Sequence, residues 1–375
     1  MPLISISFFI CVSLSFSGAT TGLTFNNIKV IVSNGQLEVA SKRISCNNLL
    51  EGLQISETDY DSIQIGEYIG TKQTDLDKIN GNSGTLSVLH KQSLTGLNLS
   101  SLRISYTDLE QIEPEAIKDV IKLKKLAIEQ NLLKEVKKGV FNGLPILTLL
   151  LSSNEIQVVE PGSFEGMSEL IIIRLAYNKL TELTKNFLSN LPKLQLVDLS
   201  WNNIDKIENG AFENLPDLKV LFLERNWIKE VGDRFLGHLP NLRELSLSFN
   251  KMQEFHSNFV TGTNNLRHLY IDNNEITEVS PGFLGNNHNL EFLDMSFNNI
   301  KEINNGTFSN FNIIELDLSH NLIQHIERRA FTNLPKLNML ILSYNNVDKL
   351  DPAILSEIPA NATINFRKNI DVLDR

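Results

Sequence analysis

The chain has 375 residues, of which 42% are hydrophobic, and a formal net charge of −10 at pH 7. This acidic balance argues against a protein that binds nucleic acid through phosphate contacts, and it favours a neutral or basic partner. Length alone would suggest two or three domains, but the internal repeat described below joins most of the chain into one elongated unit.

The N-terminus carries a short apolar segment. Residues 3–16 contain no charged side chain and are followed by the small residues Ser17, Gly18 and Ala19. This pattern predicts a cleaved signal peptide over residues 1–19, and therefore a secreted, extracellular protein. No later stretch reaches 18 uninterrupted apolar residues and the C-terminus lacks a hydrophobic tail, so neither a membrane span nor a GPI signal is expected.

Cysteines and sequons fit an extracellular location. Once the signal peptide is removed, Cys46 is the single cysteine of the mature chain, which excludes an internal disulfide and leaves a buried thiol or a pairing between chains as alternatives. Three Asn-x-Ser/Thr sequons predict N-glycosylation at Asn98, Asn305 and Asn361. Asn305 is the best candidate, because it is expected in a convex loop away from the strands.

Residues 20–96 lack a regular period and are predicted to form an N-terminal cap with degenerate repeats. Apolar residues alternate on both sides of Asn34-Gly35, a dipeptide suited to a type I′ turn. A β-hairpin is therefore expected over residues 28–39. Such a hairpin would cover the apolar edge of the first repeat.

A repeat dominates residues 97–369, which leaves residues 370–375 as a C-terminal tail. Leu-x-x-Leu-x-Leu-x-x-Asn recurs there every 24 residues, with two steps of 23. This period predicts a solenoid in which each repeat forms one turn. The marker residues are Asn131, Asn154, Asn178, Asn202, Asn226, Asn250, Asn274, Asn298, Asn321 and Asn345.

The repeat also predicts the interior of the solenoid. Because strand residues alternate between faces, the leucines five and three residues before each marker point inward. A buried amide without a partner would cost roughly 1 to 3 kcal/mol, so the markers are expected to form an Asn ladder bonded to the irregular backbone of neighbouring turns. Phenylalanines ten residues after several markers fill the space behind the strands, namely Phe141, Phe164, Phe212, Phe308 and Phe331.

The positions six, four and two residues before each marker are left free by packing and face the concave surface of the predicted sheet. In the C-terminal half they combine aromatic and acidic residues, a common composition of protein-binding hot spots. An ordinary solvated face is the alternative. The predicted ligand-binding patch, expected to take a protein or peptide with basic and apolar groups, comprises Phe222, Glu224, His268, Tyr270, Asp272, Phe292, Asp294, Glu315 and Asp317.

No motif for catalysis, a cofactor or a metal is present. The sequence lacks a Gly-x-Ser-x-Gly elbow, a P-loop, a His-Glu-x-x-His motif and a Cys-x-x-Cys pair. His268 and His320 lie two repeats apart, roughly 10 Å, which is too far for both to bind one zinc ion. The chain is therefore not expected to be an enzyme.

The repeat from Asn202 to Asn226 resembles the typical class of animal extracellular leucine-rich repeat proteins, which includes the ectodomains of Toll, Slit, chaoptin and the acid-labile subunit. The resemblance implies an α/β-type solenoid, a curved horseshoe with a parallel β-sheet on its concave face and an irregular or short helical convex side. The cysteine-rich caps of that class are missing here. The aromatic series directly before the markers is similar to one that packs along the sheet edge in that class, and it comprises Tyr177, Trp201, Phe249, Phe297 and Tyr344.

One irregularity interrupts the array. Thr263 and Asn287 stand where other repeats have leucine, which predicts a looser convex side that reflects surface drift or a lateral contact site.

The combined interpretation is a secreted, non-catalytic protein-binding module that recognises its ligand on the concave face. Two alternatives stay open, namely a membrane receptor or adhesion ectodomain whose anchor is missing, and a structural component of the extracellular matrix.

Overall fold

The computed structural model describes the backbone of residues 11–16, 23–25, 28–33, 36–40 and 60–66, and it describes residues 88–91, 94, 99–105, 108–232, 235–254, 259–367 and 369. The chain divides into two compact units, residues 1–179 and residues 180–375. In each unit, successive repeats form successive turns whose strands pair in parallel. The predicted solenoid is confirmed.

The first unit contains both antiparallel and parallel strands. Strands β5, β7, β9 and β11 pair in parallel in that order, and β11 pairs in parallel with β13. Its described strands are β1 Cys11–Phe16, β2 Leu23–Phe25, β3 Ile28–Ser33, β4 Gln36–Ala40, β5 Tyr60–Gly66, β6 Val88–Leu89, β7 Leu99–Ser105, β8 Gln111–Ile112, β9 Lys125–Glu129, β10 Glu135–Val136, β11 Thr148–Leu150, β12 Val158–Val159 and β13 Ile172–Arg174.

The N-terminal strands pair antiparallel. Strands β3 and β4 fall within the region predicted as a hairpin and run from Lys29 opposite Ala40 to Ser33 opposite Gln36. Strand β1, which belongs to the segment predicted as a signal peptide, pairs antiparallel with both β4 and β5. The predicted turn residues and Cys46 lie outside the described residues.

The second unit contains one parallel strand per turn on its principal sheet, with short two-stranded pairs elsewhere on the turns. Its described elements are β14 Glu182–Leu183, β15 Leu188–Ser189, β16 Leu196–Asp198, β17 Lys206–Ile207, β18 Phe212–Glu213, β19 Val220–Phe222, β20 Glu244–Ser246, β21 His268–Tyr270, β22 Phe292–Asp294, β23 Glu302–Ile303, β24 Glu315–Asp317, β25 His325–Ile326, β26 Met339–Ile341, α1 Pro352–Leu355 and β27 Thr363–Asn365.

The single helix among the described elements, α1, has a local cause. Asp351 caps it, because its carboxylate accepts a hydrogen bond of 2.8 Å from the N–H of Ala353. Pro352 occupies the first turn, where its missing N–H removes no helical hydrogen bond. Elsewhere in the described repeats, turns and short strands take the place of helix.

The marker asparagines connect successive turns and are between 3% and 8% exposed. Nδ2 of Asn250 donates to the carbonyl oxygen of Leu223 in the preceding turn and to that of Leu247 in its own turn, both at 3.0 Å. Its Oδ1 accepts from the N–H of Ile228, also at 3.0 Å. One side chain therefore satisfies backbone groups that have no strand partner, as well as its own amide.

The core has two apolar layers. The middle residue of most principal strands points inward and is fully buried, as at Leu221, Leu245 and Leu269. Behind the strands, phenylalanines from successive turns pack together, and the rings of Phe308 and Phe331 stack nearly parallel with centroids 5.8 Å apart. These contacts hold successive turns in register, so equivalent residues also align on the face of the sheet that points away from the core.

The expected looseness at Thr263 and Asn287 is wrong, because these side chains are only 0% and 1% exposed. The Thr263 hydroxyl donates to the carbonyl oxygen of Val260 at 2.6 Å. Nδ2 of Asn287 donates to the carbonyl oxygens of Leu284 at 2.9 Å and of Val260 at 3.2 Å. Two short polar side chains thus replace leucine at these positions. Their hydrogen bonds to nearby backbone carbonyl oxygens allow them to be buried, so the packing is retained.

Candidate functional site

Parallel pairing aligns equivalent positions of the second unit into columns on the face of its sheet. Because each repeat forms one turn, residues of the same repeat position become strand partners. One column is Glu244, His268, Phe292 and Glu315. The next is Asp198, Phe222, Ser246, Tyr270, Asp294 and Asp317.

A third column lies just after the strands and adds Glu224 and Asp272. All the residues predicted for the ligand patch lie on these three columns, on neighbouring turns of one unit. We call this surface the acidic strand face, and its carboxylates are Asp198, Glu224, Glu244, Asp272, Asp294, Glu315 and Asp317.

Aromatic rings occupy the middle of the acidic strand face. The centroids of Tyr270 and Phe292 lie 5.2 Å apart, and the His268 ring meets Phe292 edge-on at 6.4 Å. The sequence pattern predicts exposed rings at these positions, but Phe222, Tyr270 and Phe292 are partly buried. The apolar area that the three rings leave exposed is therefore limited.

Asp272 is held by its neighbours. It is 9% exposed and accepts hydrogen bonds from the hydroxyl of Ser248 and from Nδ2 of Asn273, the latter at 2.7 Å. These donors are uncharged. The carboxylate is therefore oriented within the face while its negative charge stays unbalanced.

Two carboxyls on this face have raised pKa values. Burial raises the pKa of Asp294, and the charges of Asp272 and Asp317 add to this effect against hydrogen bonds from Ser296. Burial also raises the pKa of Glu224, whose Oε2 is buried without a hydrogen-bond partner. In both cases the folded protein disfavours the charged form.

Within the part of the chain that the structure describes, no cation neutralises this face. Among the residues that the structure describes, none of the carboxylates of the acidic strand face forms an ion pair. The first unit differs, because there the guanidinium of Arg103 lies 3.4 Å from the carboxylate of Glu129. The acidic strand face therefore carries a negative field that its own side chains do not cancel.

The residue directly before each marker has a left-handed backbone. Its φ is 54° at Trp201, 55° at Arg225 and 54° at Phe249. Bulky side chains rarely adopt this conformation, whereas Asn273, with φ of 52°, belongs to a type that does so readily. The rings at these positions project from the fold, with Trp201 43% and Phe249 41% exposed.

These projecting groups stack from turn to turn. The guanidinium carbon of Arg225 lies 4.3 Å from the ring centroid of Trp201 and 3.9 Å from that of Phe249. Further along, the His320 ring stacks between Phe297 at 4.0 Å and Tyr344 at 4.1 Å. The aromatic members of this stack are predicted from the sequence, whereas Arg225 and His320 are not. The feature that could have identified Arg225 and His320 is the recurrence of planar side chains at the repeat position directly before the marker.

Beside this stack lies an open groove of about 920 Å³, which we call the edge groove. It extends over the turns from Trp201 to Leu322. The side chains that line it include Trp201, Arg225, Trp227, Phe249, Lys251 and Phe297.

Comparison with protein families gives a clear result. The leucine rich repeat profile matches residues 97–151, 146–204, 197–252, 264–315 and 311–369, well over half of the chain. The chain belongs to the leucine-rich repeat family. A comparison of this leucine-rich repeat protein with curated protein sequences found no match.

Several solved structures share the fold. A structure of the Drosophila Toll–Spatzle complex aligns with TM-score 0.68 and 22% identity, covering 86% of this chain but 45% of that chain. An internalin from Listeria monocytogenes aligns with TM-score 0.55 and 19% identity, covering 87% and 88% of the two chains. An octameric complex of latrophilin 3, Unc5D and FLRT2 aligns with TM-score 0.52 and 20% identity, covering 70% and 74%.

These similarities establish the leucine-rich repeat fold without restricting it to animals, because the internalin is bacterial. The chain spans less than half of the matched chain in the Toll–Spatzle complex. Within the described part of the leucine-rich repeat protein, no helix has the length and apolar character needed to cross a bilayer. The described residues also contain no group of three or more His, Cys, Asp or Glu side chains arranged to hold a metal ion.

Two of the three predicted glycosylation sites of the leucine-rich repeat protein lie within the described residues. Asn305 and Asn361 are both exposed. Asn98 lies outside the described residues.

Proposed function

We propose that this leucine-rich repeat protein is a secreted, glycosylated and non-catalytic binding module. Its acidic strand face recognises a protein or peptide that presents basic and apolar groups. The observation that carries the proposal is the run of carboxylates on adjacent turns without a neutralising cation among the described residues.

The charges favour a basic partner for a specific reason. Like charges on directly paired strands are unfavourable, yet Asp294 and Asp317 are strand partners. An arginine or lysine of the partner placed beside them would supply the missing positive charge. It would also favour the charged form of Asp294, whose pKa is raised in the unbound protein.

The aromatic residues favour a partner with apolar groups as well. Tyr270 and Phe292 pack against each other in the centre of the acidic strand face, with His268 at their side. A preformed ring cluster loses little side-chain entropy on binding. The partner is therefore expected to place an apolar side chain on the rings and its basic groups around them.

Secretion is supported by the apolar segment and small residues at the N-terminus and by exposed sequon asparagines at Asn305 and Asn361. The similar structures support a macromolecular partner, since Toll is seen with Spatzle, and FLRT2 with latrophilin 3 and Unc5D. An extended surface formed by strands from many turns suits such macromolecular ligands better than a small metabolite, which prefers an enclosed pocket.

The test compares two variants with the same charge change. Immobilised protein carrying Asp294→Asn and Asp317→Asn is compared with protein carrying Asp217→Asn and Asp348→Asn, two exposed acids outside the acidic strand face. Partners are captured from native extracellular fluid, identified, and then titrated individually. A partner that binds the parent and the control but loses at least tenfold affinity for the face variant supports the proposal. Equal affinity for both variants contradicts it.

A further inference from the structure

We propose that the edge groove is a second binding site, which takes an extended acidic peptide and holds one of its carboxylates on Arg225. This site is separate from the proposed acidic strand face and selects ligands of the opposite charge. The proposal rests on the stacking of Arg225, on the charge of the groove and on the groove's length.

The guanidinium of Arg225 is oriented before any ligand binds. Trp201 covers one of its faces at 4.3 Å and Phe249 lies against it at 3.9 Å. Stacking leaves the N–H donors, which lie in the plane of the guanidinium, at its edge. A carboxylate matches this planar fork with two parallel hydrogen bonds, and a guanidinium that is already positioned loses little entropy in forming them.

Arg225 has no counter-ion within the described chain, and neither does Lys251. The Lys251 ammonium lies 4.9 Å from the ring centroid of Trp227, on the next turn of the same groove. Among the described residues that line the edge groove there is no Asp or Glu. Although the protein has a net charge of −10, this surface is positive, so it complements an anionic ligand.

The length and polarity of the groove favour a peptide. From Trp201 to Leu322 it crosses about five steps between turns, or about 24 Å at the usual strand spacing, which matches an extended segment of about seven residues. Side-chain amides of Asn203, Asn273 and Asn299 line it at intervals. An amide both donates and accepts hydrogen bonds, as the backbone of an extended peptide requires.

The chain provides its own reporter, because Trp201 and Trp227 are its two tryptophans and both line the groove. The full-length protein is titrated with acetyl-Glu-Gly-Glu-Gly-Glu-Gly-amide while tryptophan fluorescence is recorded. The same peptide with Gln in place of Glu serves as the uncharged probe. We expect a saturable fluorescence change with the Glu peptide and at least tenfold weaker binding of the Gln peptide.

Two variants test the role of Arg225. Arg225→Lys keeps the charge but loses the planar fork and the double stacking, so we expect about tenfold weaker binding of the Glu peptide. The control is Arg243→Lys, an exposed arginine outside the groove, which should bind as the parent does. Phe249→Asn removes one stacking face and introduces a residue type that the same repeat position already holds at Asn273, so weaker binding is expected with the fold retained.

Four outcomes would overturn the proposal. Equal binding of the Glu and Gln peptides would exclude carboxylate recognition, and equal effects of Arg225→Lys and Arg243→Lys would exclude Arg225 as the contact. A sulfated oligosaccharide that binds at least tenfold more tightly than the Glu peptide would assign the groove to a glycan. Dimerisation that Arg225→Lys abolishes would assign it to a second copy of the chain.

Discussion

Asp294 and Asp317 are strand partners on β22 and β24, and within the described chain neither carboxylate forms an ion pair. A sheet that served only as a scaffold would gain stability from a neutral or opposite-charge pair at these positions. The like-charged pair therefore fits the proposed binding role of the acidic strand face, in which composition serves a partner at some expense of stability.

The first prediction concerns the pH dependence of stability. Because the pKa of Asp294 is raised above its ordinary 3.8, the folded protein keeps a proton that the unfolded chain releases between the two values. Stability should therefore fall as pH rises through this interval and stay lower above it. Asp294→Asn should stabilise the protein at pH 7 by ~0.2–1 kcal/mol, the usual size of such a cross-strand effect.

Chemical denaturation at pH 7 and at low pH measures this effect, with Asp217→Asn as the exposed control. The gain from Asp294→Asn should shrink at low pH, where Asp294 is protonated in both states. A stability gain of the same size at both pH values would contradict the assignment.

The second prediction concerns the Asn ladder. Asn250→Ala leaves the Ile228 N–H without its Oδ1 partner inside the fold. The Leu223 and Leu247 carbonyl oxygens each lose one amide donor but keep a second one, from Asn226 and Asn274 respectively. A buried group left unpaired costs about 1–3 kcal/mol, so a loss of about 1–3 kcal/mol is expected. The exposed Asn299→Ala should change the free energy of unfolding by less than about 0.5 kcal/mol. Thermal and urea denaturation measure the free energy of unfolding of both variants, and equal values for the two would contradict the prediction.

The third prediction separates the core phenylalanines from the projecting ones. Phe308 is 0% exposed, so Phe308→Ala should destabilise the protein by about 3–5 kcal/mol. Phe297 is 49% exposed, so Phe297→Ala should cost much less while removing one ring of the His320 stack. Urea denaturation measures the free energy of unfolding of both variants. Similar losses of this free energy would show that the projecting stack contributes to stability as much as the core does.

The fourth prediction tests the apolar part of the acidic strand face. Tyr270→Ala and Phe292→Ala together remove the central ring pair. For a partner identified by capture, we expect at least about tenfold weaker binding, since aromatic hot-spot residues contribute about 2 kcal/mol or more. Leu355→Ala, at a residue 44% exposed outside this face, is the control. Unchanged binding by the folded double variant would remove the ring pair from the proposed site.

The fifth prediction concerns secretion. Expression of the full sequence in a secreting eukaryotic cell should release a protein that begins near residue 20 and carries glycans on Asn305 and Asn361. Mass spectrometry before and after glycosidase treatment measures both features, and Asn305→Gln and Asn361→Gln should each remove one glycan. Retention of residues 1–19 in the released protein would contradict the predicted signal peptide.

The sequence by itself determined the solenoid and the membership of each column. A leucine pattern with a constant period allows one turn per repeat, so residues such as Asp294 and Asp317 must become strand partners once the turns stack in register. The same period placed the marker asparagines where their amides can serve the backbone of the preceding turn. Residues 20–96 have no such period, and the sequence predicted little about them beyond a hairpin.

The tertiary structure alone decided which side chains are exposed and which contact one another. Exposure depends on the neighbours that adjacent turns provide, and these differ from repeat to repeat. Tyr270 and Phe292 are partly covered, and Thr263 and Asn287 are buried, whereas the rings beside Arg225 project into solvent. The left-handed backbone before each marker determines this projection, and it results from the turn geometry that packing imposes on every repeat, whatever residue type stands there.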